Sequence, residues 1–476
     1  MSISSLLDSV GVRVSALTQR HPQHIGLLDH VRSLMGMPCL TTVRVTLQSV
    51  AEYYLRFLSE SMTGSSLLKP KISPRLRWFA LWGPGLLVML ADCDAGNVVT
   101  AAQAGAQWGL QLLVVLLGLI PLLYMVQELT VRLGIFTGRG HGELIRSNFG
   151  PLWAWVSATG LVIAVLGSLV TEFTGVAGVG EMYGVSRSIT LPLAVVALIA
   201  VVFTGSHKRV DKVAIVIGAF ELMFFVVAWK AHPDIHEVFR QMATLPLGNH
   251  QFGYLAAALI GATFNPWMVF YQQAAIADKK LTPTDYTAAR VETAVGAVLT
   301  QLLTAAVLVA AAATLWERGH PNSLESVGEI SDALAAVVGP HAGRLLFSAG
   351  VLGASMVAAI VCSLSLAWGL GEVAGYRRSL EDRPASAPWF YGVYVASVTG
   401  SAYVVWLAPN LVSLNVAAQV VNALMLPLVV GLLIALSVTA LPRQHRPRGA
   451  YLWLVSGIAA VVCAAGIVGA AFGILS

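Results

Sequence analysis

Apolar runs of 18 or more residues recur along this chain, each about the length of helix that crosses a bilayer. The runs lack strict alternation and are too long for barrel strands, so helices are predicted. Of 476 residues, 11% are charged and 57% hydrophobic. A soluble domain carries about 25% charged residues. The shortfall excludes an ordinary cytosolic enzyme, a disordered chain and a nucleic-acid binder. Four cysteines (Cys39, Cys93, Cys362, Cys463) are too few and too scattered for a disulfide framework. The sequence predicts an all-α polytopic membrane protein built as one large bundle.

Eleven spans are predicted, at residues 78–107, 111–133, 152–180, 190–206, 212–231, 252–276, 287–314, 343–371, 389–407, 411–439 and 450–474. Cytoplasmic loops carry an excess of Lys and Arg. With the N-terminus inside, 24 of the 29 Lys and Arg fall on the inner side, leaving Arg187, Lys230, Arg240, Arg318 and Arg344 outside. A missed span would scramble that alternation, so the expectation is N-terminus cytoplasmic and C-terminus outside. Residues 1–76 have no spanning run and no signal-peptide core. They read as a cytoplasmic extension before a transmembrane domain at 77–476. Residues 42–59 fit an amphipathic helix on the membrane surface, or a poorly ordered segment.

No Lys, Arg or His falls within a predicted span, yet Asp92, Asp94, Glu128, Glu172 and Glu221 do. A carboxylate at membrane depth costs about 2.5–3.5 kcal/mol on insertion scales, so each is retained for a reason. Acids without basic partners suggest a cation route. By position, Glu128 reaches the inner interface and Glu221 faces the bundle, where it hydrogen-bonds or lines the route.

Two spans carry interruptions. Span 1 contains Asp92-Cys93-Asp94-Ala95-Gly96-Asn97 at its centre, and Gly and Asn are poor helix formers. Span 6 contains Gly261-Ala262-Thr263-Phe264-Asn265-Pro266, and proline frees carbonyls of the preceding turn. Unwound backbone at this depth is tolerated where it lines a polar cavity. Paired broken helices five spans apart are the best sequence pointer to a transporter site between inverted repeats.

These residues resemble the NRAMP family of divalent-metal transporters. Asp94-Ala95-Gly96-Asn97 is similar to the family's Asp-Pro-Gly-Asn, with Thr100 and Gln103-Ala104-Gly105 continuing the match. Leu133-Gly134-Ile135-Phe136-Thr137-Gly138 resembles Leu-Gly-Ile-Ala-Thr-Gly, and Gly261-Ala262-Thr263 with Pro266 resembles Gly-Ala-Thr-Val-Met-Pro-His. Arg290 with Glu292-Thr293, and Gln419-Val420-Val421 with Leu426-Pro427, continue the order. The resemblance implies a LeuT-like 5+5 inverted repeat with broken helices 1 and 6, an extra helix 11, and alternating access. It implies an ion held by Asp94, Asn97, Ala262 and Asn265, with Gln419 nearby.

Two departures shift the expected chemistry. Asn265 stands where the family has methionine. A thioether suits softer metals, whereas an amide oxygen is hard and suits Mg²⁺, Ca²⁺ or Mn²⁺. Asp92 adds a second carboxylate, either as a ligand for a partly hydrated ion or to hold freed backbone groups. Trp267 and Gln272 stand at the family's histidine positions, so the imidazole relay is absent. Glu172 resembles an acidic family position. These changes resemble the NRAMP-related magnesium-transporter branch and imply uncoupled Mg²⁺ or Mn²⁺ uptake. Trp267, Tyr271, Gln272, Thr263 and Glu172 are candidates for gating or lining the route.

Other readings compete. They are a proton-coupled Mn²⁺ or Fe²⁺ transporter, an amino-acid carrier on the same scaffold, an aluminium-carrying relative, and a non-transporting sensor. Acids in span 1 would repel a substrate carboxylate, which weighs against the amino-acid carrier. No resident cofactor or nucleophile–base pair is implied; the cation is cargo and the partner is the bilayer. Composition and family point to a bacterial inner membrane, with monomer and homodimer both open.

Overall fold

The computed structural model describes residues 84–231, 234–316, 324 and 326–475. The expectations for residues 1–76 lie outside the described residues. Helix accounts for nearly all of the rest. In chain order the helices are α1 (Pro84–Asp92), α2 (Ala95–Trp108), α3 (Leu113–Thr137), α4 (His141–Phe149), α5 (Pro151–Met182), α6 (Arg187–Val202), α7 (His207–Gly218) and α8 (Met223–Ala231). They continue as α9 (Ile235–Met242), α10 (His250–Thr263), α11 (Pro266–Asp278), α12 (Tyr286–Leu315), α13 (Val327–Val338), α14 (Pro340–Ala374), α15 (Pro388–Leu407), α16 (Leu411–Thr439) and α17 (Ala450–Leu475).

Among the described residues, nine segments are long and apolar enough to cross a membrane. They coincide with nine of the eleven predicted spans. The fourth predicted span is α6, a helix of 16 residues, or roughly 24 Å at 1.5 Å per residue. The first is divided into α1 and α2. A further difference lies in span 5, where a 3-10 turn at Ala219–Leu222 separates α7 from α8. No proline marks that break. Gly353 of α14 permits it, since a Cβ there would lie 2.7 Å from the Ile217 carbonyl oxygen.

Both predicted interruptions are present. α1 stops at Asp92, and Asp94 caps α2 in extended conformation (φ −80°, ψ 176°). α10 stops at Thr263, Phe264 leaves helical geometry, and Asn265 precedes Pro266 at the first position of α11. Proline is well placed there, because its missing N–H would have had no helical partner. One hydrophobic core packs α5, α11 and α14, and a second packs α2, α10 and α12.

Glu128 does not simply reach the interface. Its carboxylate is wholly buried and pairs with Arg132 at 2.6 Å and Arg290 at 3.6 Å. It also accepts hydrogen bonds from Tyr451 at 2.9 Å and from Tyr286. One acid thus ties α3 to α12 and α17, and these cations and phenols offset the desolvation that an unpaired charge would suffer.

Helix α4 was not expected, and it carries a fully buried histidine. His141 Nδ1 lies 3.1 Å from Gln273 Oε1 and donates to it, while Gln273 Nε2 donates to the Arg139 carbonyl at 2.9 Å. Burial pushes the His141 pKa down to about 4. Unfolded, an imidazole titrates near about 6.5. Between those values the unfolded state binds more protons, so stability is lost as pH falls below the unfolded value. The expected loss is about 2 kcal/mol between about pH 7 and pH 5. Chemical unfolding of the detergent-solubilised protein at several pH values checks this. His141→Gln should remove that component; parallel pH curves for the two proteins would exclude it.

Candidate metal centre

The two breaks meet. Asn97, in the first turn of α2, donates from Nδ2 to the Ala262 carbonyl at 3.0 Å and also to the Asp92 carbonyl. Asp94 accepts the Asn97 backbone N–H at 2.7 Å. One asparagine therefore joins freed carbonyls of both broken helices, 165 residues apart in sequence. Asn265 donates to the same Ala262 oxygen at 2.8 Å.

Helix α16 closes the group. Gln419 and Asn422 lie on one face, three residues apart. Asn422 Nδ2 donates to Asn265 Oδ1 at 2.7 Å, to Gln419 Oε1 at 3.0 Å and to Ser168 Oγ at 3.2 Å. Ser168 Oγ in turn donates to Asn265 Oδ1 at 3.2 Å. Two glycines permit this approach. A Cβ at Gly261 would overlap the Gln419 carbonyl oxygen, and one at Gly96 would overlap Gln419 Nε2.

Asp94, Asn97, Ala262, Asn265, Gln419 and Asp92 are thus assembled in one buried region, with Asn265 only 2% exposed and the others 0% or, for Gln419, likewise 0%. Asp92 contributes its carbonyl to Asn97, and its Oδ2 accepts from Thr300 at 3.5 Å. Sequence reasoning passed over Asn422, Ser168 and Thr300. The polar stripe Asn415, Gln419, Asn422 on apolar α16, at spacings of four and three, was the available signal.

Glu172 of α5 enters through its Oε2, which accepts the Ala95 N–H at 3.2 Å, and its carboxyl group neighbours that of Asp94. Two carboxylates in contact repel unless a proton or metal cation offsets them. The other predicted lining residues surround the break. Trp267 is wholly buried and its carbonyl accepts from Ser365 at 2.8 Å. Tyr271 packs on Trp368 with ring centroids 5.6 Å apart. Gln272 donates to Thr293 at 3.2 Å, and Thr263 accepts from Gln301 at 3.3 Å.

Several buried oxygens in this region accept no hydrogen bond: Asp92 Oδ1, Asp94 Oδ2, Asn97 Oδ1 and Asn422 Oδ1. Leaving a buried acceptor unpaired costs about 1–3 kcal/mol, more when charged. A cation would offset that cost. Among the described residues no three His, Cys, Asp or Glu side chains cluster as a metal site. Carboxylate, amide and carbonyl oxygens would have to share the ion, a donor set suited to Mg²⁺, Ca²⁺ or Mn²⁺.

Comparison with known proteins places this geometry. Residues 85–471 match the Nramp family model, described as natural resistance-associated macrophage protein-like. A divalent metal cation transporter, MntH, of Yersinia pestis is 30% identical over 307 residues, covering 62% of this chain and 72% of the relative. The crystal structure of the Eremococcus coleocola manganese transporter, in complex with an aromatic bis-isothiourea substituted compound, is 15% identical with a TM-score of 0.65; the match covers 85% of this chain and 89% of that one. MhsT in complex with L-phenylalanine is also 15% identical, with a TM-score of 0.54, covering 81% and 98% respectively. At these identities the structural likenesses carry the fold alone: a LeuT-type helical bundle.

Proposed function

The chain belongs to the Nramp family, and on that premise we propose that it moves a divalent metal cation across a membrane by alternating access, with Asp94, Asn97, the Ala262 carbonyl and Asn265 as ligands and with Gln419 and Asp92 at their side. It is an integral membrane protein, which we place in a bacterial inner membrane with its N-terminus cytoplasmic and C-terminus outside. The preferred cargo is a hard ion, Mg²⁺ and also Mn²⁺, entering down the membrane potential without proton exchange.

Asn265 carries this reading. Its Oδ1 is held by Asn422 and Ser168 and its Nδ2 by Ala262, so a fixed amide occupies the position at which the family resemblance puts a thioether. An amide oxygen does not discriminate against Mg²⁺ as sulfur does. The transport route also lacks a titrating imidazole: His141 is held neutral by its pKa of about 4. One observation favours the proton-coupled alternative. Glu172 lies against Asp94, and such a carboxyl pair can exchange a proton for a cation.

Purified protein in liposomes, with Mg²⁺ and pH dyes inside and an inside-negative potential, separates the two. Mg²⁺ entry without acidification is expected. Mn²⁺ entry with acidification, and no Mg²⁺ entry, would establish the proton-coupled alternative instead.

A further inference from the structure

Glu221 takes no part in the centre just described. It lies in the 3-10 turn that interrupts span 5. A 3-10 stretch within an otherwise α-helical segment often marks strain or function. Its neighbours Phe220 and Leu222 are 49% and 44% exposed, whereas Glu221 is wholly buried. The turn therefore carries one carboxylate inward from a segment whose other side chains face out. Glycines of α14 make room, since a Cβ on Gly350 would lie 3.2 Å from the Phe224 ring and one on Gly353 would lie 2.7 Å from the Ile217 carbonyl oxygen. A Cβ at Gly218 would sit 3.5 Å from both Glu221 Oε1 and Leu90 Cδ1. The carboxylate thus lies against the last turn of α1, which ends at Asp92.

Neither oxygen of Glu221 accepts a hydrogen bond, and Asp92 Oδ1 accepts none either. The charges acting on Glu221 are those of Asp94 and Asp92, with no basic group among them. Protonation alone would not satisfy this group, because the acid hydrogen would also lack an acceptor. A cation that brings its own water supplies both the charge and the donors.

We propose that Glu221 and Asp92 form a second cation-binding pair beside the Asp94 centre, taking a hard divalent cation that keeps part of its water shell. The inference rests on the divalent-cation reading of that centre. One or two carboxylates plus retained water is the usual complement for such an ion. Asp92 is shared: its carbonyl belongs to the Asn97 network, and its Oδ1 is left for the second position. An ion moving between the two positions exchanges Asp94 for Glu221 while staying with Asp92.

The test is Mn²⁺ titration of the full-length protein in detergent, with free Mn²⁺ read by electron paramagnetic resonance. Asp94→Asn should retain one weakened Mn²⁺, and adding Glu221→Gln should weaken that ion by at least about tenfold, as expected for a lost charged ligand. Should the double variant fail to fold, Glu221→Asp in the Asp94→Asn background keeps the charge on a shorter arm and should shift the midpoint by about fivefold. Loss of all Mn²⁺ in Asp94→Asn would overturn the proposal, as would a residual ion indifferent to either Glu221 exchange. A wild-type protein that binds no Mn²⁺ would overturn the divalent-cation reading itself.

Discussion

Asp94→Asn is expected to reduce divalent-cation uptake into liposomes by roughly 100-fold or more while leaving the protein folded. Asp94 Oδ1 caps α2 by accepting the Asn97 N–H at 2.7 Å. Asparagine caps helices about as well as aspartate, so the break itself should survive. What is lost is the negative charge, and with it the charged partner for the cargo. Removing groups that merely support metal ligands costs about 10–100-fold in affinity, so removal of a charged ligand should lie at or beyond the upper end. Mg²⁺ and Mn²⁺ uptake at matched protein content, with size-exclusion profiles as the folding control, measures this. Uptake within about threefold of wild type, a difference of well under 1 kcal/mol, would remove Asp94 from the ligand set.

Asn265→Met is expected to lower the Mg²⁺-to-Mn²⁺ uptake ratio by roughly 10–100-fold, the range expected for losing one hydrogen-bonded polar ligand to a charge. The exchange removes the oxygen held by Asn422 at 2.7 Å and Ser168 at 3.2 Å, and the amide that donates to Ala262 at 2.8 Å. It puts a soft sulfur in their place, which Mg²⁺ coordinates poorly and Mn²⁺ tolerates. Uptake of a thiophilic ion such as Cd²⁺ should rise in parallel. An unchanged ratio would show that selectivity is set elsewhere, with Asp92 the next residue to exchange.

The breaks were legible because their causes are local. Pro266 removes a donor wherever the helix lies, and Asp94 caps the turn that follows it. The break in span 5 was not legible. Gly218 is its only local cue, and the space that admits the turn belongs to Gly350 and Gly353, more than 130 residues away. Glu128 was placed at the interface because its position along span 2 was all the sequence offered. Its partners Arg290, Tyr286 and Tyr451 come from helices that sequence order does not bring near.

By itself, the sequence determined what hydrophobic period, backbone chemistry and charge placement dictate: a bundle of apolar helices, two interrupted spans and buried acids that lack basic neighbours. Tertiary structure alone decided which polar groups meet. It set Glu172 on the Ala95 amide, Asn422 on Asn265, and Glu221 against the end of α1. The physical reason is reach. Caps and helix breaks act over three or four residues of backbone, whereas a ligand set is made by side chains whose proximity depends on how whole helices pack.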